Sequence, residues 1–306
     1  SFIAFSQNYE IGDVLYYKNN KLVQRRTDVK VVIKNNVVAK DHVSTKYVVD
    51  KYVINDNNEF VLESEFVSIG LTELKADGFF ISYHPNGNKA SEGHAVNGRI
   101  GDGVWTYYYK DGEIRSEEKI TNVSYFSEKT KNAMLNFWTE EGEQTVTNGD
   151  GVVEITNSEG VTEKGAYKNK FKTGMWTGFA GETKKYEETY KKGNLVKGTS
   201  FNSNNESFSY KKIKEPAYYI KKDNSAVKKY VYGELSNKLT SIEGQMIVDF
   251  MVTKDGTVKN IDIVKGLTRN YEKEVKRILA TMKWTPAMER GQPHDSHYLL
   301  KLRFNK

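Results

Sequence analysis

The side chains able to react in this 306-residue chain are few, and their spacing is poor for reaction. Cys is absent, which removes thiolate nucleophiles, disulfides and zinc–thiolate sites together. There are five His. His294 and His297 stand three apart, a spacing that on one strand sends them to opposite faces and gives poor geometry for a shared metal. His84 and His94 flank a hairpin turn and are expected to approach each other across strands. Glu117-Glu118 and Glu140-Glu141 are adjacent pairs; on a strand each pair points both ways and forms no matched acid and base. No Gly-x-Ser-x-Gly elbow, Gly-x-x-x-x-Gly-Lys phosphate loop or His-Glu-x-x-His zinc helix occurs. Gly98-Arg99-Ile100-Gly101-Asp102-Gly103 has glycines enough for a phosphate cradle but not their spacing, and reads as a hairpin loop. The expectation is no catalytic residue, no metal and no cofactor. The aromatic residues Trp105 and Trp176 read as packing within hairpins, and the alternative is a surface on which they stack a glycan or lipid headgroup. A hydrolase assembled from carboxylates distant in sequence is a second alternative.

Composition points to a folded β-rich protein. Aromatic residues make up 12% of the chain with 20 Tyr, against 4 Pro and 24 Gly, a balance that disordered chains lack. No run approaches the roughly 18 apolar residues that a membrane helix needs. Residues 227–306 hold 15 basic and 9 acidic side chains, which accounts for the whole net charge of +6. That surplus permits peripheral contact with an anionic membrane, but it is small and reads as a solubility device rather than a nucleic-acid footprint. Ser1-Phe2-Ile3-Ala4-Phe5-Ser6 reads as the tail of a secretory signal peptide, with Gln7 or Asn8 as the mature start; the alternative is part of a first strand.

These side chains must be positioned by short strands. From residue 7 to about 75, Val14 to Tyr17, Val29 to Ile33, Val37-Val38, Tyr47 to Ile54 and Phe60 to Phe66 read as short antiparallel strands, and Asn19-Asn20, Asn35-Asn36 and Asn55 to Asn58 read as the turns between them. Residues 76–204 contain an internal repeat. One copy holds Tyr83, Gly87, Gly93, Gly103-Val104-Trp105-Thr106 and Asp111-Gly112; a second holds Gly160, Gly165 and Gly174-Met175-Trp176-Thr177. Asn-Gly and Asp-Gly supply positive φ for tight turns, and the aromatics supply cross-strand pairs, so each unit is a β-hairpin that must stack on its neighbours. The pattern Tyr-x-x-x-Gly-x-x-x-x-x-Gly followed by Gly-x-Trp resembles the MORN-like repeats of bacterial envelope proteins. Residues 205–225 are polar and Lys-rich and read as a linker, with a strand over Ala217-Tyr218-Tyr219-Ile220 as the alternative.

Residues 226–306 change pattern to a small α+β domain. Val227, Tyr230, Val231 and Leu235 have helical spacing; Met246, Val248, Phe250 and Val252 alternate along a strand; and Lys254-Asp255-Gly256-Thr257 turns into a return strand with Ile261 and Ile263. Tyr271, Val275, Ile278, Leu279 and Met282 line one face of a second helix, which Asn270 is placed to cap and Pro286 to close. Tyr298, Leu300, Leu302 and Phe304 alternate along a last strand, giving the order αββαβ.

Gly244-Gln245-Met246-Ile247-Val248-Asp249-Phe250, Asp255-Gly256-Thr257-Val258, Val264-Lys265-Gly266, Met282-Lys283-Trp284-Thr285-Pro286 and Arg290-Gly291-Gln292-Pro293 together resemble the C-terminal domain of the TonB family. The resemblance implies a periplasmic or cell-envelope protein of a Gram-negative bacterium that binds an outer-membrane β-barrel receptor by adding an extended receptor segment to its last strand. Carried over by position, the partner-binding residues are Gln292, His297, Leu299, Lys301 and Arg303, and a homodimer through the same edge is a further possibility. The MORN-like hairpins stand where an energy transducer of that family has a Pro-rich spacer. The expectation is therefore a non-enzymatic adaptor or scaffold related to TonB-dependent transport rather than a transducer. The alternative is an envelope enzyme or glycan- or lipid-binding protein with its site on the repeat surface.

Overall fold

The computed structural model describes residues 14–18, 21–22, 31–40, 45–121, 131–157, 159–219, 224–236 and 243–304. The proposed signal remnant at residues 1–6, the turn at Asn19-Asn20 and the start of the strand expected from Val29 lie outside them. The chain divides into two compact units, Ser1–Ile155 with Lys164–Thr173, and Thr156–Glu163 with Gly174–Lys306. No helix among the described residues is long and apolar enough to cross a membrane.

The first unit is an antiparallel meander. Its strands are β1 (Val14–Lys18), β2 (Lys21–Leu22), β3 (Val31–Lys40), β4 (Thr45–Ile54), β5 (Phe60–Ser68), β6 (Ala76–Tyr83) and β7 (Lys89–Val96). They continue with β8 (Arg99–Ile100), β9 (Gly103–Tyr108), β10 (Ile114–Thr121), β11 (Lys131–Trp138), β12 (Gln144–Thr147) and β13 (Asp150–Thr156). β3 runs unbroken through Asn35-Asn36, because both residues pair with Val49 and Val48 of β4; the turn expected there is not formed. Tyr17, Val49, Phe66, Leu71 and Leu74 close a small core at this end, and the Tyr17 hydroxyl donates to the Leu71 carbonyl.

β14 (Val161–Lys168) and β15 (Phe171–Ala180) have residues in both units, and the second unit holds β16 (Thr183–Lys191), β17 (Asn194–Phe201) and β18 (Ser207–Tyr210). Two turn types recur. At 55–59, 84–88, 109–113, 139–143, 157–161, 202–206 and 253–257, the first N–H bonds the fifth carbonyl and the fourth N–H bonds the first carbonyl, with the fourth residue at positive φ. That is the three-residue hairpin loop with one left-handed position. At Asn97-Gly98, Asn148-Gly149, Lys192-Gly193 and Arg290-Gly291 both residues have positive φ, the two-residue loop whose twist matches that of the strands. Glycines also recur opposite rings: Gly178 faces Tyr186 and Gly198 faces Tyr210 in register, and a Cβ on either glycine would fall 2.3 Å from that ring.

The C-terminal part of the second unit holds β19 (Lys214–Glu215), α1 (Asn224–Ser236), β20 (Gly244–Val252), β21 (Val258–Lys265), α2 (Arg269–Thr281), β22 (Ala287–Glu289), β23 (Gln292–His294) and β24 (Ser296–Phe304). α1 and α2 cover one face of a sheet ordered β21-β20-β24. The core gathers Val227, Val231 and Leu235 of α1, the inward residues of β20, and Val275, Ile278 and Leu279 of α2. The N-cap of α2 is Thr268, and Asn270 lies inside the first turn, two residues too late to cap it. The expected αββαβ order gains a short hairpin, β22–β23, before the last strand. Of the span 205–225, residues 205–219 are built into the fold: β18 pairs with β17, β19 pairs with β22, Ala217 is buried in the core, and Tyr218 bridges to Thr285. Apolar anchors every few residues overcome the local lysines.

Candidate functional site

The candidate site is the outer edge of β24. β24 pairs antiparallel with β20 from Gly244↔Phe304 to Val252↔Ser296 without a register shift, and among the described residues no strand lies on its other side. The two-residue period sorts its side chains. Leu300 and Leu302 are buried, and Tyr298 and Phe304 pack against the same core, with Tyr298 stacked on Phe250 at 5.4 Å. His297, Leu299, Lys301 and Arg303 are exposed on the opposite face, Leu299 by 53%. Their nearest neighbours on β20 are Met251, Asp249, Ile247 and Gln245 in that order. His297 Nδ1 lies 3.4 Å from Asp249 Oδ1.

The backbone direction follows from one side chain. The Tyr232 hydroxyl of α1 accepts from the Arg303 N–H at 2.7 Å and donates to the Arg303 carbonyl at 2.8 Å. Both backbone groups of Arg303 thus point away from β20. Outward-facing residues recur at every second position of an antiparallel strand, so His297, Leu299 and Lys301 also direct their N–H and C=O to the open side. The residues with exposed side chains are thus the residues whose backbone groups point away from β20. The Tyr232 ring is held edge-on to Phe304, 5.4 Å between centroids.

Gln292 is not part of this row. It sits on β23, and its Nε2 donates to Ser200 Oγ at 2.8 Å, while Ser200 Oγ donates to the Arg290 carbonyl at 2.7 Å. These bonds belong to an anchor around Glu188, a carboxylate only 1% exposed. Tyr210 donates to its Oε1 at 2.7 Å, Tyr190 to its Oε2 at 2.8 Å, and Arg290 Nε to Oε1 at 3.0 Å. The Arg290 guanidinium lies 3.8 Å over the Tyr186 ring, whose hydroxyl donates to Glu163. Burial first, and then the neighbouring carboxylates, push the Tyr186, Tyr190 and Tyr210 hydroxyls well above the usual phenol range. The anchor therefore ties the Arg290-Gly291 turn to β16, β17 and β18. Nothing in the local sequence announced it, because its central pair, Glu188 and Arg290, is 102 residues apart.

The other candidates are dispersed. His84 bonds the Tyr108 carbonyl through Nε2 at 3.1 Å, whereas His94 faces Phe79 across the strands, so the two do not approach as expected. His294 and His297 lie on different strands, β23 and β24. Glu140 and Glu141 occupy an exposed turn rather than a strand. Glu117 accepts from Asn136 at 2.7 Å, and Glu118 from Asn132 at 3.4 Å. Burial raises the Glu118 carboxyl, with Arg115 and Asn132 pulling the other way. Trp105 and Trp176 are buried at 3% and 1%, while the preceding Val104 and Met175 are exposed at 50% and 65%. Both indoles thus serve hairpin packing.

Residues 236–305 match the family described as Gram-negative bacterial TonB protein C-terminal. No curated protein and no solved structure matches the chain. The packed domain extends further toward the N-terminus than the match, to Val227 and Ala217. The match supports a TonB-like envelope protein related to TonB-dependent transport.

Proposed function

We propose that this protein is a non-enzymatic periplasmic adaptor that docks an extended segment of an outer-membrane receptor by strand addition to the free edge of β24. The observation that carries the reading is the coincidence of exposed side chains and outward backbone groups at His297, Leu299, Lys301 and Arg303. An unpaired edge of this kind is a template for another strand, with main-chain bonds giving affinity and flanking side chains giving selection. Two of the four side chains are cationic and Leu299 is apolar, which favours a segment that presents a carboxylate and an aliphatic residue on that face. Gln292 is assigned to holding the β22–β23 turn instead of contacting the partner. The hairpins over 76–204 act as a spacer and scaffold; the recurring Gly-x-Trp burial and the two turn types support their MORN-like reading.

The test is in-cell photo-cross-linking from position 301, followed by mass spectrometry. Capture of the N-terminal segment of an outer-membrane barrel is the expected result. Capture of a second copy alone would replace the receptor by a homodimer, and no capture from 301 would remove the edge from consideration.

A further inference from the structure

The edge of β24 is not open along its whole length, and the exception is built into the chain. Arg303 has the same outward orientation as His297, Leu299 and Lys301, but its N–H and C=O are both taken by one hydroxyl, that of Tyr232. A single O–H serves as donor and acceptor at once, which is what a neighbouring strand residue would do with two separate groups. The hydroxyl is delivered from α1, and its ring is braced against Phe304. α1 is itself fixed through Val227, Val231 and Leu235, each at most 3% exposed. Its own helix thus supplies the edge with a substitute partner at one position and leaves the preceding three outward positions unserved.

We propose that Tyr232 is a stop for strand addition: an incoming segment pairs with His297, Leu299 and Lys301 and ends there, because pairing with Arg303 requires the Tyr232 hydroxyl to leave. The inference rests on strand addition at β24 being the docking mode. It goes beyond that reading by assigning the length and register of the docked segment to one residue outside the strand. The same contact protects the end of the edge against pairing with unintended strands, a task usually given to charges or proline.

The variant Tyr232→Phe keeps the ring and removes the hydroxyl. Amide hydrogen exchange read by NMR on the intact protein gives the first readout. The Arg303 amide exchanges faster in the variant, while the inward amides of Leu300 and Leu302 keep their protection, which shows that the strand is intact. The probe for docking is the tightest nonamer selected from a randomised peptide library against the intact protein, long enough to cover all four outward positions. Bound to the wild type, it protects His297, Leu299 and Lys301 and leaves Arg303 unchanged. Bound to Tyr232→Phe, it extends protection to Arg303 and binds about two- to tenfold tighter, the value of one more hydrogen-bonded backbone position. Equal affinity and the same boundary in both proteins would overturn the stop and leave docking at β24 standing. Protection that already extends to Arg303 in the wild type would do the same. A nonamer that protects none of the three amides would remove the docking mode, and the stop with it.

Discussion

Proline at two consecutive positions of β24 separates folding from docking, because the strand sends alternate N–H groups to opposite sides. Leu300 is 1% exposed and stands opposite Val248 of β20, and its N–H belongs to the ladder with that strand. Leu300→Pro deletes that bond, leaves a buried carbonyl on β20 without its donor and replaces a close-packed side chain by a smaller ring. The lost bond and orphaned acceptor cost about 1–3 kcal/mol, and the underpacked site about 2–5 kcal/mol by analogy with Leu→Ala. The sum is a large part of a domain stability of about 5–15 kcal/mol. Leu299 is 53% exposed and its N–H faces the open side, where an edge strand tolerates proline. Leu299→Pro is therefore expected to change stability by under about 1 kcal/mol, as ordinary surface substitutions do. It removes one of the three unserved outward donors and puts a ring in the path of an added strand. Capture from position 301 should then fall about tenfold, equivalent to about 1.4 kcal/mol. Urea unfolding followed by circular dichroism measures the first quantity, and cross-linking yield the second. If Leu299→Pro unfolded as readily as Leu300→Pro, the assigned backbone direction would be wrong. If it stayed folded and captured partner undiminished, docking at this edge would be refuted.

Three further outcomes follow from the packing. Glu188→Ala leaves Arg290 without its buried counter-charge and two tyrosine hydroxyls without an acceptor, so urea unfolding should show a loss of about 3–5 kcal/mol; a loss below 1 kcal/mol would mean that water or rearrangement replaces the anchor. Gly198→Ala places a Cβ 2.3 Å from the Tyr210 ring and should lower the thermal midpoint by several degrees, whereas alanine at the open turn glycine Gly142 meets no atom and suffers only from its positive φ. The hairpins should also be sensitive to alkali. Burial, and then the bond to Glu92, push the Tyr108 hydroxyl up to about 12, and Tyr83, Tyr186, Tyr190 and Tyr210 shift the same way. A raised folded-state value means that above pH 10 the unfolded chain loses phenol protons which the folded chain keeps. Stability is then full below about pH 10 and falls as pH rises toward 12 and beyond, while Tyr108→Phe flattens part of that fall. A urea midpoint constant from pH 9 to 11.5 would contradict this.

The parts of the fold legible in sequence were those fixed by short-range rules. Met246, Val248, Phe250 and Val252 are all fully buried as their alternation requires, and so are Leu300 and Leu302. The hairpin turns followed from Asn, Asp and Gly because left-handed φ is a local demand. What misled was local chemistry overruled by distant pairing. Asn35-Asn36 has turn composition, yet partners on β4 hold it in a ten-residue strand. The lysines of 205–225 suggested a linker, but β19 finds β22 about seventy residues later, a contact that no window along the chain contains. The hairpin at Arg290-Gly291 was missed because its strands are three residues each, too short to show a period.

The candidate site divides along the same line. Alternation alone put His297, Leu299, Lys301 and Arg303 on one face, since side-chain direction is a property of a single strand. Gln292 was grouped with them by position in the family resemblance, and it lies on another strand, where its side chain bonds Ser200. Whether a strand is an edge, and toward which side its backbone groups point, depends on its neighbours, and the residue that reports this direction, Tyr232, is 71 positions away. That hydroxyl also makes the four outward positions unequal: three have no partner beyond β20 among the described residues, and the fourth is already served from within the domain. An edge that is closed at one end and charged along its face is poorly suited to indiscriminate pairing and well suited to accepting a short segment in one register.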